Sequence, residues 1–233
     1  MVFRKITRAC AGTLAMFLLI LVLFISAFQI VIYGDSSYKH YQKEYEKYLV
    51  TNRLNMEMDD VMDVTSYMMD YLIGKEDTLS YETTINGEKK DFFNDQDRFH
   101  MGEVKVLFLQ GLKLRTICIV MVLLLILGLI INRGPLFRLL LRCYIAAIGL
   151  IAAFAALVGV VAMKDFTIVF TKFHHVFFDN NDWLFDPARD YMINMLPEGF
   201  FSDMLIFILI VFANLLLVAG AIMLVRLYIE ERR

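Results

Sequence analysis

"CYIAAIGLIAAFAALVGVVAM", residues 143–163, runs for 21 residues without a charge. About 20 helical residues cross a hydrocarbon slab of about 30 Å. Backbone N–H and C=O groups in lipid must pair within their own segment, so the run reads as a transmembrane helix. Three more runs have comparable character, near 9–33, 116–131 and 204–225, the second extending back toward Leu112. The apolar residues, 59% of the chain at a mean hydropathy of +0.59, are thus bunched, which excludes an ordinary water-soluble domain. The first run is far longer than the 7–15 apolar residues typical of a secretory signal. "SAFQIVIYGD" (26–35) offers no cleavage site, so a retained anchor is expected. Gly149, Ala153 and Ala156 permit close helix approach, which predicts the third run at the packed centre of the bundle. The interiors 117–131, 144–162 and 205–225 hold no Asp, Glu, Lys, Arg or His. Ion and proton paths need such groups at depth, which argues against a channel or transporter.

Basic residues in short loops set orientation. Arg4, Lys5 and Arg8 precede the first run, Arg133, Arg138 and Arg142 lie between the second and third, and Arg226, Arg232 and Arg233 follow the fourth. All three clusters fall on one side, the expected cytoplasmic side, and only Glu230 and Glu231 accompany them. The expected layout is a cytoplasmic N-terminus and first transmembrane helix over 1–33 and an extracytoplasmic cap over 34–113. The second transmembrane helix follows over 114–132, a cytoplasmic loop over 133–142 and the third helix over 143–163. A second extracytoplasmic segment over 164–203, the fourth helix over 204–225 and a cytoplasmic tail over 226–233 complete it. This is a multi-pass protein of the cell membrane. The net charge of −2 hides the asymmetry, and no segment resembles a nucleic-acid binder. Cys10, Cys118 and Cys143 fall in or beside the apolar runs, so the outer loops carry no disulfide.

The cap opens with Tyr38, Tyr41, Tyr45 and Tyr48 at helical spacing. Either packing within the cap or a headgroup-level surface fits that stripe. Ser36 or Ser37 is the expected cap of this helix. A second amphipathic helix is predicted over 56–73. Asn86-Gly87 between short polar strands predicts a two-residue hairpin, since both positions tolerate positive φ. The fold class is therefore a membrane all-α protein, with four transmembrane helices and a mostly helical extracytoplasmic cap containing a small β-hairpin.

Imidazole suits proton transfer near neutral pH, and the chain has His40, His100, His174 and His175. His40, among lysines and tyrosines, reads as a surface residue. His100 heads the apolar stripe Val104, Leu107, Phe108 and Gly111. Glu103 three residues on, and Asp97 three residues before, are placed to fix its tautomer or favour its cation. If the third helix continues through 164–178, Phe166, Phe170, Phe173 and Phe177 share one face. His174 borders that face and His175 points nearly opposite. Phe99 and Trp183 join Phe170, Phe173 and Phe177 as expected pocket-lining residues. "DNNDWLFD" (179–186) has oxygen donors but lacks the glycine and late glutamate of a calcium loop, so no metal is expected.

"HMGEVKVLF" (100–108) before the second run, and "FHHVFFDNNDWLFDPARDYMINMLPEGFF" (173–201) between the third and fourth, resemble the lipoprotein intramolecular transacylase family. The resemblance extends to the four-span layout. It implies an acyltransferase whose substrates are diacylglyceryl-modified bacterial lipoproteins held in membrane lipid. The sn-2 acyl chain would move from its ester oxygen to the free N-terminal cysteine amine, giving a lyso-form lipoprotein without a cofactor. It implies catalytic roles for the histidines matching His100 and His174. Asn180 is a candidate donor to the tetrahedral oxyanion. The alternatives are a non-enzymatic membrane sensor or assembly subunit with an acidic cap, and a metal-dependent lipid hydrolase.

Overall fold

The computed structural model describes residues 2–132 and 134–232, with backbone alone for residues 2 and 3. Arg133 and Arg233, two of the residues used for orientation, lie outside the described residues. The chain is mostly helical and runs α1 (Val2–Tyr33), α2 (Lys39–Lys47), α3 (Val50–Leu54), α4 (Met58–Leu72), β1 (Glu82–Ile85) and β2 (Glu88–Asp91). It continues through α5 (Asp95–Ile131), α6 (Leu136–Lys164), α7 (Phe166–Phe177), α8 (Tyr191–Met195) and α9 (Glu198–Glu231). Contacts divide it into two compact units. One comprises Met1–Gln29, Leu112–Lys164 and Ile208–Arg233; the other comprises Ile30–Gly111 and Asp165–Phe207.

The first unit draws on α1, α5, α6 and α9, the four helices long and apolar enough to cross a membrane. α5 has 37 residues, about 55 Å at 1.5 Å per residue. That exceeds a slab of about 30 Å, and all the charged residues of α5, from Asp95 to Arg115, lie toward its start. The expectation that the small-residue run of α6 forms the packed centre is corrected. Ala153 and Ala156 are exposed, and a Cβ added at Gly149 would meet nothing within 4 Å. Only 6% of the apolar window of α6 is buried, against 39% for α1. Small residues permit close approach but supply little contact area themselves. α6 packs instead through its early stripe Leu140, Cys143, Tyr144 and Ala147. The close approach is at Gly12 of α1, where a Cβ would lie 3.2 Å from Cys143 Sγ. Helix ends find partners of the sign their dipoles favour. Glu230 accepts from the first backbone N–H groups of α6, at Leu136 (2.8 Å) and Phe137 (3.1 Å). Arg8 donates to the Leu129 carbonyl near the end of α5 at 3.0 Å.

The second unit has a core of its own. Tyr38, Tyr41 and Tyr45 are buried, which settles the tyrosine stripe as packing rather than a headgroup surface. The Tyr45 hydroxyl pairs with Thr65 Oγ1 at 2.8 Å, and its ring stacks on Phe200 at 5.8 Å. Tyr41 OH donates to the Ile32 carbonyl. Neither Ser36 nor Ser37 caps α2. The N-cap position is Tyr38, which makes no side-chain cap bond, while the Asp35 carboxylate in the turn before it accepts from the N–H groups of Ser37 and Lys39. Asn86 and Gly87 take φ of 55° and 78°, and β1 pairs antiparallel with β2, Ile85 opposite Glu88. α7 is not a continuation of α6. Asp165 is extended, and its side chain accepts from Thr167 N at 3.0 Å, so it stops one helix and caps the next.

Candidate active site

α5 opens with a reciprocal cap. Asp97 N–H donates to Asn94 Oδ1 and Asn94 N–H donates to Asp97 Oδ2, both at 2.9 Å. This is the capping-box arrangement in Asn/Asp form. It fixes the phase of the helix, and one turn on, His100 is buried with 6% exposure. Asp97 is therefore engaged by the helix start. Burial pushes its carboxyl up to about 6, and its Oδ1 has no hydrogen-bond partner.

On α7, His174 is 7% exposed while its neighbour His175 is exposed. His174 Nδ1 lies 2.7 Å from the Phe170 carbonyl. A carbonyl only accepts, so Nδ1 carries the proton and Nε2 of the neutral ring is left as the basic nitrogen. The two imidazole rings have centroids 5.9 Å apart and planes 32° apart. Aromatic rings enclose them. Phe178 lies 4.9 Å from His100 and 5.7 Å from His174. Phe185 lies 5.6 Å from His100, and Phe170 4.2 Å from His174. Trp183 stacks on His174 at 4.5 Å.

Glu103 Oε2 faces His100 Nδ1 at 3.8 Å, too long for a hydrogen bond. Both atoms are buried and unpartnered. The other oxygen of Glu103 accepts from Asn180 Nδ2 at 2.8 Å. Asn180 therefore braces Glu103 through its side-chain amide. The loop after α7 is fastened to α5 by side chains. Gln96 Nε2 donates to the carbonyls of Asp182 and Leu184, and Asn94 Nδ2 donates to Asp190 Oδ1.

Burial sets the electrostatics. It lowers the pKa of His100 to about 4, with the neighbouring His174 acting in the same direction. It also lowers that of His174, against the opposing pull of the Phe170 carbonyl. Both shifts favour the neutral ring, the state in which an imidazole accepts a proton. Among the described residues no three of His, Cys, Asp and Glu converge as a metal site.

Not every expected lining residue reaches the pair. Phe99 is 56% exposed. Phe173 meets His174 at 5.5 Å but stays 47% exposed. Phe177 packs on Phe173 with ring planes 48° apart. The apolar arc of α7 centres near Phe173, but Phe173, Val176 and Phe177 on it are exposed while His174 at its edge is buried, so hydrophobic periodicity alone did not mark the inward face. Phe178 and Phe185 were not expected. Phe178 had a signal, lying one turn after His174; Phe185 sits in an irregular loop and had none. His40 contacts Glu44 and Phe207, apart from the pair.

The model of the family described as lipoprotein intramolecular transacylase Lit matches residues 13–201. No curated protein matches the chain. Among solved structures, the membrane integral lipoprotein intramolecular transacylase Lit from Bacillus cereus is similar at a TM-score of 0.75 and 18% identity. That match covers 98% of this chain and 99% of the other. A variant of the Bacillus cereus protein with one histidine replaced by arginine gives a TM-score of 0.76 at 18% identity, covering 99% and 96%. The corresponding alanine variant gives 0.75 at 18% identity, covering 99% and 98%. At that identity the likeness concerns the fold.

Proposed function

This chain belongs to the lipoprotein intramolecular transacylase family, and on that premise we propose that His100 and His174 transfer the protons of its acyl migration. It is a multi-pass membrane acyltransferase, which sets aside the sensor or assembly-subunit alternative. The substrate we propose is a bacterial lipoprotein with an S-diacylglyceryl cysteine and a free α-amine, bound from membrane lipid. Its sn-2 acyl chain moves to that amine and leaves a lyso-form lipoprotein.

One observation carries this proposal: two buried imidazoles from different helices stand 5.9 Å apart inside an aromatic enclosure. The amide product is more stable than the ester, so the barrier lies in proton transfer and in bringing the ends together. One neutral imidazole removes a proton from the ammonium. The amine nitrogen attacks the sn-2 carbonyl carbon, and the tetrahedral intermediate sheds a second proton from nitrogen. The carbon–oxygen ester bond breaks as an imidazolium protonates the leaving oxygen, and one proton in total passes to water. Nitrogen and leaving oxygen are bonded to the same carbon in the intermediate, so paired imidazoles can serve both. Each general acid or base step contributes typically 10²–10⁴-fold. Holding the reacting ends in register is worth up to about 7–11 kcal/mol in ideal cases. The aromatic walls exclude the water that would otherwise hydrolyse the ester. The carboxylate of Glu103, 3.8 Å from Nδ1 of His100, favours the cation of that ring by charge, and Asn180 holds Glu103 in place.

The proposal extends to topology. Arg4, Lys5, Arg8, Arg138, Arg142, Arg226 and Arg232 assign both termini to the cytoplasm, and 34–113 and 164–203 to the opposite side.

The test is incubation of the purified protein with a synthetic S-diacylglyceryl lipopeptide and no added cofactor. Mass spectrometry should locate the migrated acyl group on nitrogen. Acyl release as free fatty acid, or migration that requires added metal, would overturn the assignment.

A further inference from the structure

Trp183 is the sole tryptophan of the chain, and it is 6% exposed. Its indole lies over His174 with planes 25° apart. Its Nε1–H donates to the Asn180 carbonyl at 3.0 Å, which fixes the indole. The same Asn180 braces Glu103 through its side chain. The Phe170 ring also contacts His174, with planes 47° apart. A neutral imidazole gains little from an indole face beyond packing. An imidazolium is drawn to the negative face of the ring, most strongly for tryptophan and more so where water is excluded.

We propose that Trp183 is a positioning residue for the acyl transfer, holding the His174 ring flat against its indole and stabilising the imidazolium formed when His174 takes a proton. This rests on His174 being a proton-transfer group. The stack offsets the burial that otherwise opposes a charge on that ring. The titratable neighbours of His174 are His100 from α5 and His175 on its own helix, itself edge-on to Trp183 at 5.4 Å. Glu103 lies beyond His100. From the loop after α7, the rings of Phe178 and Trp183 meet His174, and both are uncharged.

The experiment titrates full-length protein labelled with ¹³Cε1-histidine, as wild type, W183F and W183L, with H174A to assign the signal. Lipopeptide conversion is followed in parallel across pH. In W183L the pKa of His174 should fall by about one unit while His40 stays put. Conversion should fall about tenfold. W183F, which keeps an aromatic face, should recover part of both losses. Melting temperature establishes that each variant is folded, and W183F decides alone if W183L is not. A His174 pKa that is unchanged or raised in the folded variants overturns the proposal. Full conversion by H174A would overturn the histidine mechanism instead, and leave the stack to be judged by its titration.

Discussion

Glu103 and Asp97 flank His100 at the same sequence distance, and the structure gives them different work. Glu103 faces Nδ1 of the imidazole, so on the proposed mechanism replacing its charge acts on the chemistry. Glu103→Gln should lower turnover about 10–100-fold with little change in melting temperature, measured as lipopeptide conversion beside thermal unfolding. Asp97 is buried in the helix cap, and its folded pKa of about 6 exceeds the ordinary 3.8. The folded chain then binds the proton more tightly than the unfolded chain between those values. That contribution to stability is complete below about pH 3.8 and is lost as pH rises through 6. Asp97→Asn cannot titrate, so wild type should lose stability relative to the variant from pH 4 to 7, on the order of 2 kcal/mol. Parallel unfolding curves across that range would contradict the burial argument. At this scale the sequence was informative about which histidine turns inward. Helical phase separates His174 from His175 by about 100°, and the structure buries the first and exposes the second. It was silent on which carboxylate would meet His100, because residues three before and three after are equally near on an ideal helix. The reciprocal cap with Asn94 breaks that tie, and it depends on where the helix starts.

Helix starts and close approaches decide the next level. α7 begins where Asp165 caps it, and the break after Lys164 sets the phase of His174 afresh. Asp165→Ala should destabilise the protein by about 1 kcal/mol and lower conversion, read from thermal unfolding and the lipopeptide assay. At Gly199 near the start of α9, a Cβ would fall 2.5 Å from the Tyr48 ring and hydroxyl. Tyr48 OH donates to Asp203 at 2.5 Å, which limits how far the ring can retreat. Gly199→Ala should therefore cost about 1–3 kcal/mol, and Tyr48→Ala in the same background should recover part of it. The elements were readable where local chemistry is strong: long apolar runs, the Asn86-Gly87 turn and the amphipathic α4. The break at Asp165 was missed because apolar residues continue on both sides of it. The packing role of α6 was misjudged because alanine and glycine permit contact without ensuring it. The irregular loop 178–190 carries no periodicity at all, and Gln96, Asn94 and Glu103 hold it through long-range hydrogen bonds that no local pattern announces.

At the scale of the whole chain, four membrane-length helices and a separately packed second unit accompany a site made from α5, α7 and the loop between α7 and α8. The layout of spans was legible in apolar runs alone, and the place of His100 and His174 near the ends of different spans, with the family resemblance, paired them; only tertiary structure gives their 5.9 Å spacing. Topology has its own test. In protein with Cys10, Cys118 and Cys143 replaced, a cysteine at Lys89 should react with a membrane-impermeant maleimide in intact cells, and one at Arg232 should not. The central claim is that the two imidazoles work as one unit on one bound lipid. The most direct measurement is conversion of the S-diacylglyceryl lipopeptide by His100→Ala, His174→Ala and the double variant, each verified as folded. Each single variant should lose at least about 100-fold, and the double variant should be scarcely slower than the worse single one. Undiminished conversion by either single variant, or losses that simply multiply in the double, would contradict the account.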